Sequence, residues 1–250
     1  MLTQAVRGRF PWNGSGDYLA APPHRPADNH VMEKPLLSYL VRYPSAGLLF
    51  IQLLGILLYP FMEDTALGRA AFGAFGVVVL VSALRIVNRS PTIHWIAFLM
   101  AVAILVLTVA TELTAVPTLR LALVALEAGF YFYAAAGLIA YMMEDQRTTT
   151  DELFAVGATF TLLAWGFAYA YAACQLVAPG SFVALQQPEA PRTWLELLFL
   201  SVTVLSGVGL GDILPIRPFA RALVMLEEIA GLMYIALVVS RVIGLTIRHR

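Results

Sequence analysis

The stretch PRTWLELLFLSVTVLSGVGLGDILP, Pro191 to Pro215, decides how this chain is to be read. Thr193 and Glu196 have the T-x-x-E spacing of a capping box, with Pro191 just before them. The apolar run that follows, Trp194 to Leu205, predicts a helix of about 18 Å at about 1.5 Å per residue. That is too short to cross a bilayer, which takes about 20 residues. SGVGLGD comes next, dense in glycine and carrying one charge, Asp212. Glycine is costly in helix interiors, so the helix ends there. The reading is a half-helix that dips to mid-membrane depth, a turn, and an extended segment that returns. Irregular backbone at that depth is tolerated only where protein buries it or where it lines a water-filled path.

The rest of the chain supplies the membrane. Of its 250 residues, 60% are hydrophobic and 13% charged, and mean hydropathy is +0.77. A soluble domain carries about 25% charged residues. Formal net charge is zero, so no nucleic-acid partner is expected. Cys174 is the only cysteine, which excludes an intrachain disulfide and a cysteine-built metal site. Residues 1–42 are polar and rich in Pro, Gly and Asn. They read as a cytoplasmic tail with no cleaved signal peptide.

Six apolar runs are long enough to span: 45–62, 68–87, 92–111, 117–143, 151–177 and 218–247. The expected class is an all-α integral membrane protein. Residues 43–147 form a four-span membrane domain. Residues 148–250 form a second domain of outer helix, re-entrant half-helix, glycine segment and inner helix. Short connections make the first five spans antiparallel neighbours, and TTTDE (residues 148–152) supplies the cap and first turn of the fifth. With the N-terminus inside, Arg7, Arg9, Arg25, Lys34, Arg42, Arg85, Arg89, Arg147, Arg241, Arg248 and Arg250 lie inside, eleven of the sixteen basic residues. The positive-inside rule therefore favours a multi-pass cell-membrane protein with both termini cytoplasmic.

The side chains of Gly207, Val208, Gly209, Leu210 and Gly211 offer no polar atoms, so the functional groups are backbone carbonyls. Carbonyl rings replace the hydration shell of a cation, and the negative C-terminal end of the half-helix faces the cation path.

At these residues the sequence resembles the pore domain of the tetrameric potassium-channel superfamily: a pore helix, then T-V-G-Y-G-D, then an inner helix. Val208, Gly209, Gly211 and Asp212 fall on the family's Val, Gly, Gly and Asp. Leu210 stands in place of Tyr, Gly207 in place of the Thr that lines the innermost ion site, and Ser206 in place of the Thr before it. Arg221, Glu227, Gly231 and YIALVVSRVIGL (residues 234–245) look like the inner helix of bacterial members. The resemblance covers residues 151–250 and implies a homotetramer in membrane lipid that conducts K⁺ through a carbonyl selectivity filter. K⁺ is then the permeant ion at Gly207, Val208, Gly209, Leu210 and Gly211, and no cofactor is expected. It implies filter support from Ser206, Asp212, Trp194, Phe199 and Glu227.

Gly207 leaves two alternatives, a non-selective or Na⁺-permeable cation channel and a non-conducting sensor or scaffold. On the first of these, Gly207→Thr should raise K⁺ preference. Gly231 reads as either a gating hinge or a packing glycine. Glu127 is an intramembrane carboxylate of unknown role, structural or paired, with Arg120 on the same face a candidate partner. Arg241 reads as snorkelling to the interface, and Phe130 to Tyr133 as a lipid-facing and packing surface. The fourth span holds only Arg120, not the arginine ladder of a voltage sensor. No soluble regulatory domain is expected in this chain. No nucleophile–base pair or metal-ligand spacing is present, so an enzyme is not expected.

Overall fold

The computed structural model describes residues 43–62, 76–83, 94–114, 116–144 and 150–248. The polar tail and most of the second span lie outside them. The elements are α1 (Pro44–Met62), α2 (76–83), α3 (His94–Thr114), α4 (Pro117–Glu144), α5 (Thr150–Val177), β1 (Phe182–Ala184), α6 (Trp194–Leu205), β2 (Ile213–Pro215) and α7 (Pro218–Arg248). Among the described residues, α1, α3, α4, α5 and α7 are long and apolar enough to cross a membrane, and α6 is not. The architecture is that of an all-α membrane protein with one two-stranded ribbon.

α5 is the centre. It packs against α4, α6, α1 and α7. A helix apolar all round is a buried helix, and Trp165, Tyr171, Leu162 and Ala168 of α5 are each at most 1% exposed. The aromatic residues on α4 point into this core. Phe130 is fully buried and Tyr131 nearly so. Tyr131 stacks on Tyr169 at 5.5 Å between ring centroids, and Phe132 meets Phe167 edge-on at 4.8 Å. The lipid-facing reading of this cluster is corrected. These rings hold α4 to α5, because the neighbouring helix offers aromatic partners at matching heights.

Three further features come from long-range pairing. Asp151 lies within the first turn of α5, yet it accepts from Ser45 N at 3.1 Å and Ser45 Oγ at 2.9 Å, satisfying the first turn of α1. Arg241 does not simply snorkel. It donates to Glu152 at 3.1 Å and ties the far end of α7 to the start of α5. β1 pairs antiparallel with β2, with Val183 opposite Leu214, and Ile216 N extends the pairing to Ser181 O at 2.8 Å.

Candidate ion path

The half-helix forms where its capping chemistry lies. α6 runs from Trp194 to Leu205, and both halves of the capping box are made: Glu196 N donates to Thr193 Oγ1 at 3.3 Å, and Thr193 N donates to Glu196 Oε2 at 2.6 Å. Just upstream, Arg192 is 5% exposed. Its guanidinium donates to the carbonyls of Gln187 (2.6 Å), Gln186 (3.4 Å) and Ala190, and to Glu196 (3.2 Å). Gln187 has φ +50, the one left-handed non-glycine among the described residues. Gln175 of α5 completes the anchor, accepting from Arg192 N at 2.7 Å and donating to Arg192 O at 3.0 Å. Sequence reading missed Arg192 and Gln175, whose partners, Glu196 apart, are backbone atoms of a loop.

Trp194 begins α6 at the end away from the glycine segment. Its ring packs on Tyr59, Trp165 and Tyr169 at 5.1 to 5.8 Å. It braces the start of the half-helix. Phe199 is 50% exposed.

The other end of α6 closes in a Schellman motif. Ser206 is the last right-handed residue, Gly207 has φ +73, Gly207 N donates to Val204 O at 2.9 Å and Val208 N donates to Thr203 O at 3.0 Å. Thr203 O takes two more donors, Gly209 N at 2.9 Å and Ser206 Oγ at 3.2 Å. The amides at the head of the glycine segment therefore turn back onto the helix end. The carbonyls do not: no described hydrogen bond ends on a main-chain oxygen from Ser206 through Asp212. Residues 207–212 are all exposed in the single chain. Carbonyl oxygens of this kind, uncommitted and on exposed backbone, are groups that hard cations take as ligands.

Behind this segment, Glu227 of α7 is fully buried. Tyr171 Oη of α5 donates to one carboxyl oxygen, and Ser201 Oγ of α6 meets the other while lying 2.8 Å from Ala164 O. One carboxyl thus joins three helices at the level of the half-helix. Gly231, one turn further along α7, is where the helix meets the end of α6. A Cβ built on it would sit 2.1 Å from Leu205 O. α7 continues as helix through this residue, and the close approach accounts for the glycine. Past the glycine segment, β2 is held by β1 and by Arg221, whose Nε donates to Pro215 O at 3.1 Å.

The structure thus brings Ser206, Gly207, Glu227 and Gly231 to one end of α6. Trp194 stands at its other end. Asp212 is exposed just before β2. Glu127 lies apart, on α4, hydrogen-bonded to Tyr169. The described ion pairs are Arg192–Glu196 and Arg241–Glu152, so the pairing of Glu127 with Arg120 is not what forms.

Residues 158–248 match the protein family described as "Ion channel". That span takes in most of α5, the ribbon, α6, the glycine segment and α7. No curated protein and no solved structure matches the chain significantly. Residues 158–248 are thus similar to an ion-channel pore domain, over the same elements that build the half-helix and the glycine segment.

Proposed function

We propose that four copies of this chain form a potassium channel, with Gly207, Val208, Gly209, Leu210 and Gly211 of each lining a shared K⁺ filter. The observation that carries this reading is the run of uncommitted carbonyls from Ser206 to Asp212, set after a capped half-helix too short to span. One chain supplies one strand of such a filter, and a closed ring of carbonyls takes several copies about a cyclic axis. The bare surfaces of α6, the glycine segment and α7 support association. Phe199, Val208, Leu210, Met225, Leu226, Ile229 and Leu232 are all at least 50% exposed in the single chain. Ser206 and Glu227 support the filter from behind. Residues 43–147 form a membrane domain around the pore domain of 148–250, both termini are cytoplasmic, and the assembly sits in the cell membrane.

The test is K⁺ flux from liposomes holding the purified chain. Flux that requires the protein supports the reading. An intact tetramer that passes no K⁺, with block and a closed gate excluded, defeats it. A second reading, a non-selective cation pore, is favoured by one observation. Gly207 brings no hydroxyl to the inner end of the filter, and its backbone is engaged in capping α6. Reversal potentials with K⁺ on one side and Na⁺ on the other separate the two.

A further inference from the structure

We propose that the cavity bounded by α2, α3, α4, α5 and the first turn of α6 binds a small organic ammonium ion, with Glu127 as its counter-charge. The cavity holds about 320 Å³, roughly twice the ~150 Å³ that accommodates benzene. The polar side chains on its wall are mostly committed. Thr108 donates to Ile104 O at 2.8 Å, Gln175 is held by the main chain of Arg192, and the guanidinium of Arg192 is filled by loop carbonyls and Glu196. Glu127 differs. Its hydrogen bond is to the Tyr169 hydroxyl, and it is in neither described ion pair. Arg120, two turns away, and a second carboxyl, Glu112 of α3, are also on the wall, and both are exposed. A carboxyl inside a membrane span needs a partner, and the cavity in front of Glu127 can admit a cation.

The walls decide the class of cation. A metal ion needs several hard ligands, and no cluster of three or more His, Cys, Asp or Glu occurs among the described residues. Leu80, Ile104, Leu123 and Val124 form an apolar surface, while Tyr131 and Trp194 add aromatic rings. The Glu127 carboxyl, facing apolar and aromatic walls, suits an ammonium head on a short hydrocarbon or aryl body. An occupant would touch Trp194 and Leu197 of α6, so the site adjoins the half-helix that leads to the filter.

The test measures binding, not conduction, so its outcome is independent of what the pore passes. The full chain in maltoside detergent and amine-free phosphate buffer is titrated with phenethylammonium and followed by thermal melting and tryptophan fluorescence. A saturable rise in melting temperature is expected. The neutral isostere 2-phenylethanol and the Glu127→Gln variant should each bind at least about tenfold more weakly. Gly76→Leu should weaken binding at least about tenfold, because Gly76 lines the cavity and a Cβ there meets nothing within 4 Å, which leaves room for the larger side chain to fill it. Variants are compared only where their ligand-free melting resembles wild type. If Glu127→Gln does not fold, the ammonium–alcohol comparison and Gly76→Leu decide. The proposal is overturned by a flat wild-type titration, by equal binding of the alcohol, by unchanged binding in a folded Glu127→Gln variant, or by an equal shift from NaCl at matched ionic strength.

Discussion

Replacing Gly231 with alanine asks whether α7 is pinned to α6 or bends there. The added Cβ would lie 2.1 Å from Leu205 O, 2.9 Å from Leu205 C and 3.0 Å from its Cα. Real Cβ contacts essentially never fall below 3.0 Å, so the two backbones must separate by at least 3.0 − 2.1 = 0.9 Å. The obstacle is main chain in the last turn of α6, which cannot rotate away as a side chain would. Overpacking of this kind costs about 1–3 kcal/mol. A shift of that size also reaches the Schellman cap and the Glu227 hydrogen bonds, one turn away on either side. Thermal melting of the purified chain should fall, and K⁺ flux per folded protein should fall with it. Gly231→Ser should be at least as damaging, since it carries the same Cβ. A pure hinge predicts another pattern: unchanged melting with altered opening. An alanine variant that melts like wild type would refute the packing argument, whatever its flux.

Glu227→Gln should be tolerated, because the carboxamide can accept from Tyr171 and donate to Ser201, whose own hydrogen then goes to Ala164 O. Glu227→Ala leaves the buried Tyr171 hydroxyl without its acceptor, while Ser201 keeps Ala164 O, and should lower stability by about 1–3 kcal/mol, read by denaturation in detergent. Gly207→Thr places a β-branched residue at φ +73 and should cost about 1–2 kcal/mol or more in each subunit. Gly207→Asn should be better borne, and bi-ionic reversal potentials should show no gain in K⁺ preference for the threonine variant. Thr193→Ala removes one half of the capping box and should cost about 1 kcal/mol, seen as a lower melting temperature. Arg192→Lys should not rescue what Arg192→Met loses, because an ammonium cannot reach three carbonyls and Glu196 with one planar fork; proteolysis of the 178–192 loop reports the loss.

Features fixed by local chemistry could be read from the sequence. α6 begins and ends at the predicted residues because the capping box and the glycines act within a few positions of themselves. The long helices begin and end within about three residues of the predicted spans for the same reason, apolar runs closed by proline or polar residues. The rest depends on partners far along the chain. β1 and β2 are three residues each, too short to show an alternating pattern. Asp151 looked like a cap for its own helix and serves α1 instead. Arg241 finds Glu152 across 89 positions. Phe130 and Tyr131 read as well for lipid as for protein, and only the aromatic stripe on α5 decides between them.

Gly207 shows how far residue identity alone can carry a site. By sequence it is a loss: a hydroxyl expected at the inner end of a filter is missing. In the structure it also does something a threonine is poorly suited to do. Its left-handed backbone ends α6 and turns the Val208 and Gly209 amides onto Thr203 O. The donors at the filter's head are thereby occupied, and the following carbonyls are left without partners inside the chain. The same conformation keeps the last turn of α6 in place, where Leu205 O presses on Gly231. Restoring a hydroxyl at this position and preserving the cap are opposed requirements. On the proposed reading of this segment as a filter, selectivity at its inner end then depends on the carbonyl geometry that the cap imposes, and changes that move the cap, at Gly207, Thr203 or Gly231, should alter ion preference together.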